Sequence, residues 1–133
     1  MLTVSKVYET RAIGFNGRNF YNLVVGFDCQ EPALTINAKL KAIEAQHGRS
    51  SEKAANNSGI LDLDLLSYGS QIVATNELSL PRSDVRRAAY ALRPLVDIAP
   101  DTVDPITKLT YRVLWDTFAD KSSILKDVSD LFE

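Results

Sequence analysis

Apolar and polar positions alternate from the start of the chain, with Leu2 and Val4 on one face and Thr3, Ser5 and Val7 on the other. A period of two marks a strand with unlike faces, so a strand is predicted over about Leu2–Tyr8. ETRAIGFNGRN then reads as a loop, and FYNLVVGFD (Phe20–Asp28), rich in aromatic and β-branched residues, as a second strand. The period changes in QEPALTINAKLKAIEAQHG. Ala33, Ile36, Leu40, Ile43 and His47 recur every three or four residues, which predicts an amphipathic helix, with Gly48 placed to end it.

The polar stretch Arg49–Gly59 is expected to be a mobile surface loop. It leads into GILDLDLLSYG, where Leu61, Asp62, Leu63, Asp64 and Leu65 alternate strictly and predict a strand, although Asp disfavours strands. SYGS turns this strand toward a short hairpin partner, QIVA. A further helix is predicted after Pro81, with Ser83 or Asp84 as N-cap and Val85, Ala89 and Leu92 facing the core. Pro94 is placed to end or kink it. After the loop DIAPDTVDP, a C-terminal helical region is expected over about 106–133, carrying Leu109, Val113, Trp115–Phe118, Leu125, Val128 and Leu131–Phe132. Strands and helices interleave, which favours an α+β sandwich of helices on a mostly antiparallel sheet, one domain over 1–133.

Composition narrows the function classes. With 133 residues, 45% of them hydrophobic, the chain can bury a core, and its net charge of −2 gives no bulk attraction to nucleic acid or a membrane surface. The single cysteine, Cys29, fits a reducing compartment and reads as a packed thiol. The opening MLTVSKVYET does not read as a signal peptide, and the chain is expected to be cytoplasmic.

The chemistry lies in the aspartates and arginines. On a strand, Asp62 and Asp64 leave the same face about 6.5–7 Å apart, and their mutual repulsion is relieved by a cation or by solvent. Both readings stand on the residues alone: a Mg²⁺ site completed by water and phosphate oxygens, or a solvated face. Arg82 stands just before a helix N-terminus, a favourable place for an anion, whereas Arg86, Arg87 and Arg93 read as a solvated helix face. His47, the sole histidine, sits in the last helical turn. Phe20 and Tyr90 are core residues or the two walls of a slot for a flat heterocycle.

LTVSKVYET, FYNLVVGF, AIEAQHGR, LDLDLLSYG and LSLPRSDVRRAAYALRPLVDIAPD together resemble the 6-hydroxymethyl-7,8-dihydropterin pyrophosphokinases of folate biosynthesis. The resemblance implies a ferredoxin-like α/β sandwich and transfer of a pyrophosphoryl group from ATP to a pterin hydroxymethyl. It implies that Asp62 and Asp64 hold Mg²⁺ and that Arg49 is catalytic. It further implies that Thr10, Phe20, Asn22 and Tyr90 bind the pterin, and that Glu44, Leu65, Ser79 and Arg82 contact the nucleotide. The likeness begins at Met1, so the family's first strand, its Gly-Ser-Asn turn and its first helix are expected to be absent, which predicts a homodimer closing the sheet edges. Arginines of the family are matched by Ser51, Gly59, Glu77 and Ala88, a lid tryptophan by Asn56 and a histidine by Arg82. The resulting expectation is a divergent enzyme of weak activity; the alternative is an inactive homologue serving as a nucleotide- or pterin-binding or regulatory module.

Overall fold

The computed structural model describes residues 2–10, 20–47 and 61–132. Each of the first two predicted strands is divided: β1 (Leu2–Val4) and β2 (Tyr8–Thr10), then β3 (Phe20–Asn22) and β4 (Val25–Phe27). β1 pairs with β4 and β2 with β3, all antiparallel, so the two stretches still run side by side. Leu2 faces Phe27 but Tyr8 faces Asn22, because Ser5–Val7 oppose only Leu23 and Val24. One extra residue on the first strand is a bulge, and it bends the ribbon. Ser5 satisfies the backbone there: its N–H donates to the Val24 carbonyl at 2.9 Å and its Oγ accepts from the Val24 N–H at 2.8 Å.

Helix α1 (Ala33–Gln46) forms where the periodicity places it. Its buried stripe, however, runs through Ala33, Ile36 and Glu44, and Ile43 and His47 are exposed. The spacing of three, then four plus four, follows the true helical period and carries a carboxylate inward. Gly48 lies outside the described residues.

The aspartate segment is a correction. Among the described residues, 61–68 form no strand ladder; instead β5 (Val73–Ala74) forms its hairpin with β6 (Ser79–Leu80). Alternation reports which side chains face inward; it does not supply a partner for the ladder. Among the described residues the segment is held by other bonds: Leu66 accepts from the Arg82 N–H at 2.8 Å, and the Tyr68 hydroxyl donates to the carbonyls of Glu31 and Cys29. Its leucines divide between two apolar clusters. Leu65 packs with Ala33, Leu78 and Leu80, and Leu66 packs with Val85, Leu92, Leu95 and Tyr111.

The predicted helix after Pro81 is two, α2 (Asp84–Arg87) and α3 (Ala89–Ile98), broken at the extended Ala88. α3 runs through Pro94 and does not end there. Ser83 occupies the N-cap position of α2, but its side chain makes no capping bond. The C-terminal region is not all helical. α4 (Tyr111–Asp116), capped by the Thr110 hydroxyl, is followed by strand β7 (Ile124–Asp127) and a 3-10 turn, Ser129–Phe132. β7 pairs antiparallel with β2, giving the order β3–β2–β7, and α3 packs against β2 and β3. The class is α+β with antiparallel sheets, as the interleaving predicts.

Candidate active site

The carboxylates gather against α1. Lys41 and Glu44, three apart, lie on one face of that helix beside the aspartate segment. The Glu44 carboxylate is buried and accepts the Leu63 N–H. Burial pushes Glu44 up, but the Leu63 N–H, Lys41 and a hydrogen bond with Asp62 outweigh it and hold the carboxyl below its ordinary range. Lys41 Nζ donates to the Leu63 carbonyl at 2.9 Å and lies 3.3 Å from Asp64 Oδ1 and 3.4 Å from Glu44.

Arg82 approaches Asp64 as well, with Nη1 3.8 Å from Oδ1. Its Nε is 3.6 Å from Asp84 Oδ1, an ion-pair contact too long for a hydrogen bond. The other Asp84 oxygen accepts the Tyr90 hydroxyl proton. Burial, followed by that hydrogen bond, pushes the Tyr90 pKa up to about 12. A polar chain therefore runs from Tyr90 through Asp84, Arg82, Asp64 and Lys41 to Glu44 and Asp62. It borders a cleft of about 220 Å³ lined by Lys41, Asp64, Leu65, Glu77, Ser79 and Arg82, among others.

Of the residues expected at the nucleotide and metal, Asp64, Leu65, Ser79 and Arg82 line this cleft, and Glu44 and Asp62 are linked to each other by a hydrogen bond beside it. Thr10, Phe20 and Asn22 lie on β2 and β3, where the Asn22 side-chain amide donates to Thr10 Oγ1 at 2.6 Å. The helix that carries Tyr90, α3, packs against β2 and β3. Arg49, Ser51, Asn56 and Gly59 lie outside the described residues. Among the described residues no three His, Cys, Asp or Glu converge on a ready-made metal site; the carboxylates turn to Lys41 and Arg82 instead. The carboxylate oxygens of Asp62 and Asp64 are donors of the kind a hard divalent cation such as Mg²⁺ takes.

Lys41 was not singled out by sequence reasoning; its i,i+3 spacing to Glu44 on α1 was the available signal. Arg93 is also not the solvated residue expected. Its guanidinium lies over the rings of Tyr8 and Trp115 at 5.5 and 5.6 Å and pairs with Asp97 at 3.4 Å. Asp97 accepts the Tyr8 hydroxyl at 2.7 Å; burial, then this bond, raises the Tyr8 pKa.

Residues 1–100 match the family model of 7,8-dihydro-6-hydroxymethylpterin-pyrophosphokinase. The chain belongs to this family. A 2-amino-4-hydroxy-6-hydroxymethyldihydropteridine pyrophosphokinase of Aquifex aeolicus is 30% identical over 104 residues, 77% of this chain and 64% of that protein. The Haemophilus influenzae protein of the same name is 27% identical over 125 residues, covering 93% of this chain and 77% of that one. The folic acid synthesis protein fol1 of Pneumocystis carinii is 28% identical over 90% of this chain, which spans only 16% of fol1. The chain therefore covers less than two thirds of the length of fol1 and of the Aquifex aeolicus protein. The family match takes in the cleft residues from Lys41 to Arg82 and continues through Tyr90.

Proposed function

We propose that the chain is a divergent 6-hydroxymethyl-7,8-dihydropterin pyrophosphokinase, transferring pyrophosphate from ATP to a pterin hydroxymethyl with Mg²⁺, at low turnover and in the cytoplasm. What supports this reading is the placement of Asp64 and Arg82 on one cleft, with Glu44 joined to Asp64 through Lys41. Asp62 and Asp64 would hold Mg²⁺, which when bound neutralises phosphate charge during transfer. Arg82 supplies a guanidinium fork to a phosphate oxygen, and Arg49 a second. Tyr90 and Phe20 would stack on the pterin, and the Asn22 amide, oriented by Thr10, would hydrogen-bond its edge.

Glu77 favours the second reading, a binding or regulatory module without turnover. It places a carboxylate in the cleft where the resemblance implies an adenine-side arginine, so a cation facing the nucleotide is exchanged for an anion. Release of AMP from ATP with Mg²⁺ and 6-hydroxymethyl-7,8-dihydropterin separates the two. The parent is expected to release AMP, and Asp62→Ala and Asp64→Ala to lower it at least about 100-fold. Ligand-dependent stabilisation without AMP from the parent would establish the binding module.

We also propose a homodimer. Leu2, Val4, Val25 and Phe27 are opposed in register on one face of the β1–β4 ribbon and all are exposed. The opposite face is turned to α3, where a Cβ on Gly26 would come 3.2 Å from Ile98. Exposed apolar faces of this kind are covered by association. Light scattering is expected to give a dimer that Phe27→Glu dissociates; a parent that is monomeric throughout would sink the proposal.

A further inference from the structure

We propose that the Lys41 ammonium is a tethered cation of the acidic segment, competing with a divalent cation for Asp64 and setting the concentration at which the site loads. The inference rests on the reading of Asp62 and Asp64 as a metal site and adds a residue that regulates it.

Three contacts carry it. Lys41 Nζ has three protons, and it faces three acceptors: the Leu63 carbonyl at 2.9 Å, Asp64 Oδ1 at 3.3 Å and the Glu44 carboxylate at 3.4 Å. These belong to the segment that presents the aspartates and to the helix residue that anchors it. The side chain is tethered on α1 and lines the cleft beside Asp64. Arg82 holds the same Asp64 oxygen at 3.8 Å, so Oδ1 already has two cationic neighbours. A divalent ion on that oxygen would stand within a few ångströms of the ammonium, where like charges repel strongly in a half-buried site. Loading therefore requires Lys41 to withdraw, and the position is favourable for that, since its side chain is 47% exposed and water receives the displaced ammonium. Arg82 has less freedom, because its guanidinium is also placed against Asp84.

Mn²⁺ is the probe, since it accepts the same oxygen ligands as Mg²⁺ and its free fraction is read directly by electron paramagnetic resonance. The full chain is titrated at neutral pH and fixed ionic strength as parent, Lys41→Met, Lys41→Arg and Asp64→Asn, with thermal melts confirming that each variant is folded. Lys41→Met keeps the length of the side chain and removes its charge, and is expected to bind Mn²⁺ about tenfold more tightly than the parent. Lys41→Arg restores the charge and is expected to bind as the parent does, while Asp64→Asn loses the site. Equal affinity in parent and Lys41→Met overturns the role of Lys41 and leaves the metal site standing. Weaker binding by Lys41→Met also overturns it, by making Lys41 an organiser of the site. Binding by none of the variants overturns the metal reading itself, and the competition with it.

Discussion

Glu44→Ala is expected to destabilise the fold by about 1–3 kcal/mol and to lower turnover about 10–100-fold. The stability loss has a local cause. Glu44 is buried and accepts the Leu63 N–H, so truncation leaves a main-chain donor in a half-buried position without its acceptor. It also removes one of the partners of Lys41 and the hydrogen bond with Asp62. Turnover falls because Asp62 and Asp64 flank the residue that Glu44 holds, and a carboxylate that wanders is a poor ligand. The pH dependence provides a check. The folded carboxyl titrates below its ordinary value of 4.5, so the stability it contributes is present above that value and is lost as pH falls through the folded pKa. Thermal melts of parent and variant should therefore differ most near neutrality and draw together in acid. Glu44→Gln retains an acceptor for Leu63 but not the charge, and should fall between the two. A Glu44→Ala protein as stable as the parent at pH 7 would remove Glu44 from its place as the anchor.

Leu92→Ala carries the largest expected effect on stability alone, about 2–5 kcal/mol, or a melting temperature lower by roughly 10 °C. Leu92 is fully buried between Val85, Leu95 and Tyr111, where α3 meets α2 and α4. Close packing on every side leaves the neighbours little room to collapse into the cavity. Leu34→Ala, on the exposed side of α1, is the matched control and should change stability by less than about 0.5 kcal/mol. Comparable losses from both would mean that the cluster around Leu92 is not the principal core.

Helix α1, the helical stretch after Pro81 and the antiparallel course of the first two strands were legible in the sequence, because each is a local period. What local periods do not contain is partnership. β7 escaped notice because ILKD is short and charged on both sides, and its partner β2 lies far away in sequence. The alternation around Asp62 and Asp64 predicts a ladder, whereas side chains and isolated main-chain bonds take its place. The aspartates themselves were legible as candidates, since acid in an apolar run is costly and invites a reason. Lys41 was not, because an exposed lysine on a helix resembles any other until the segment packed against it is known. The apolar period on α1 points to Ile43, one position from the buried Glu44, because a buried carboxylate breaks the rule that apolar residues mark the inner face.

The anchoring of residues 61–68 by Glu44, Lys41, Arg82 and Tyr68 has an evolutionary side. A segment woven into the middle of a sheet shares its fate, and damage to one is damage to both. Here the segment hangs on separate side-chain and main-chain bonds, so its contacts can be lost one at a time, each at a limited cost in stability, while the clusters around Leu92 and Leu80 persist. Sequence drift can then erode or redirect the chemistry at little cost to solubility, leaving a well-folded protein whose ligand set is free to change.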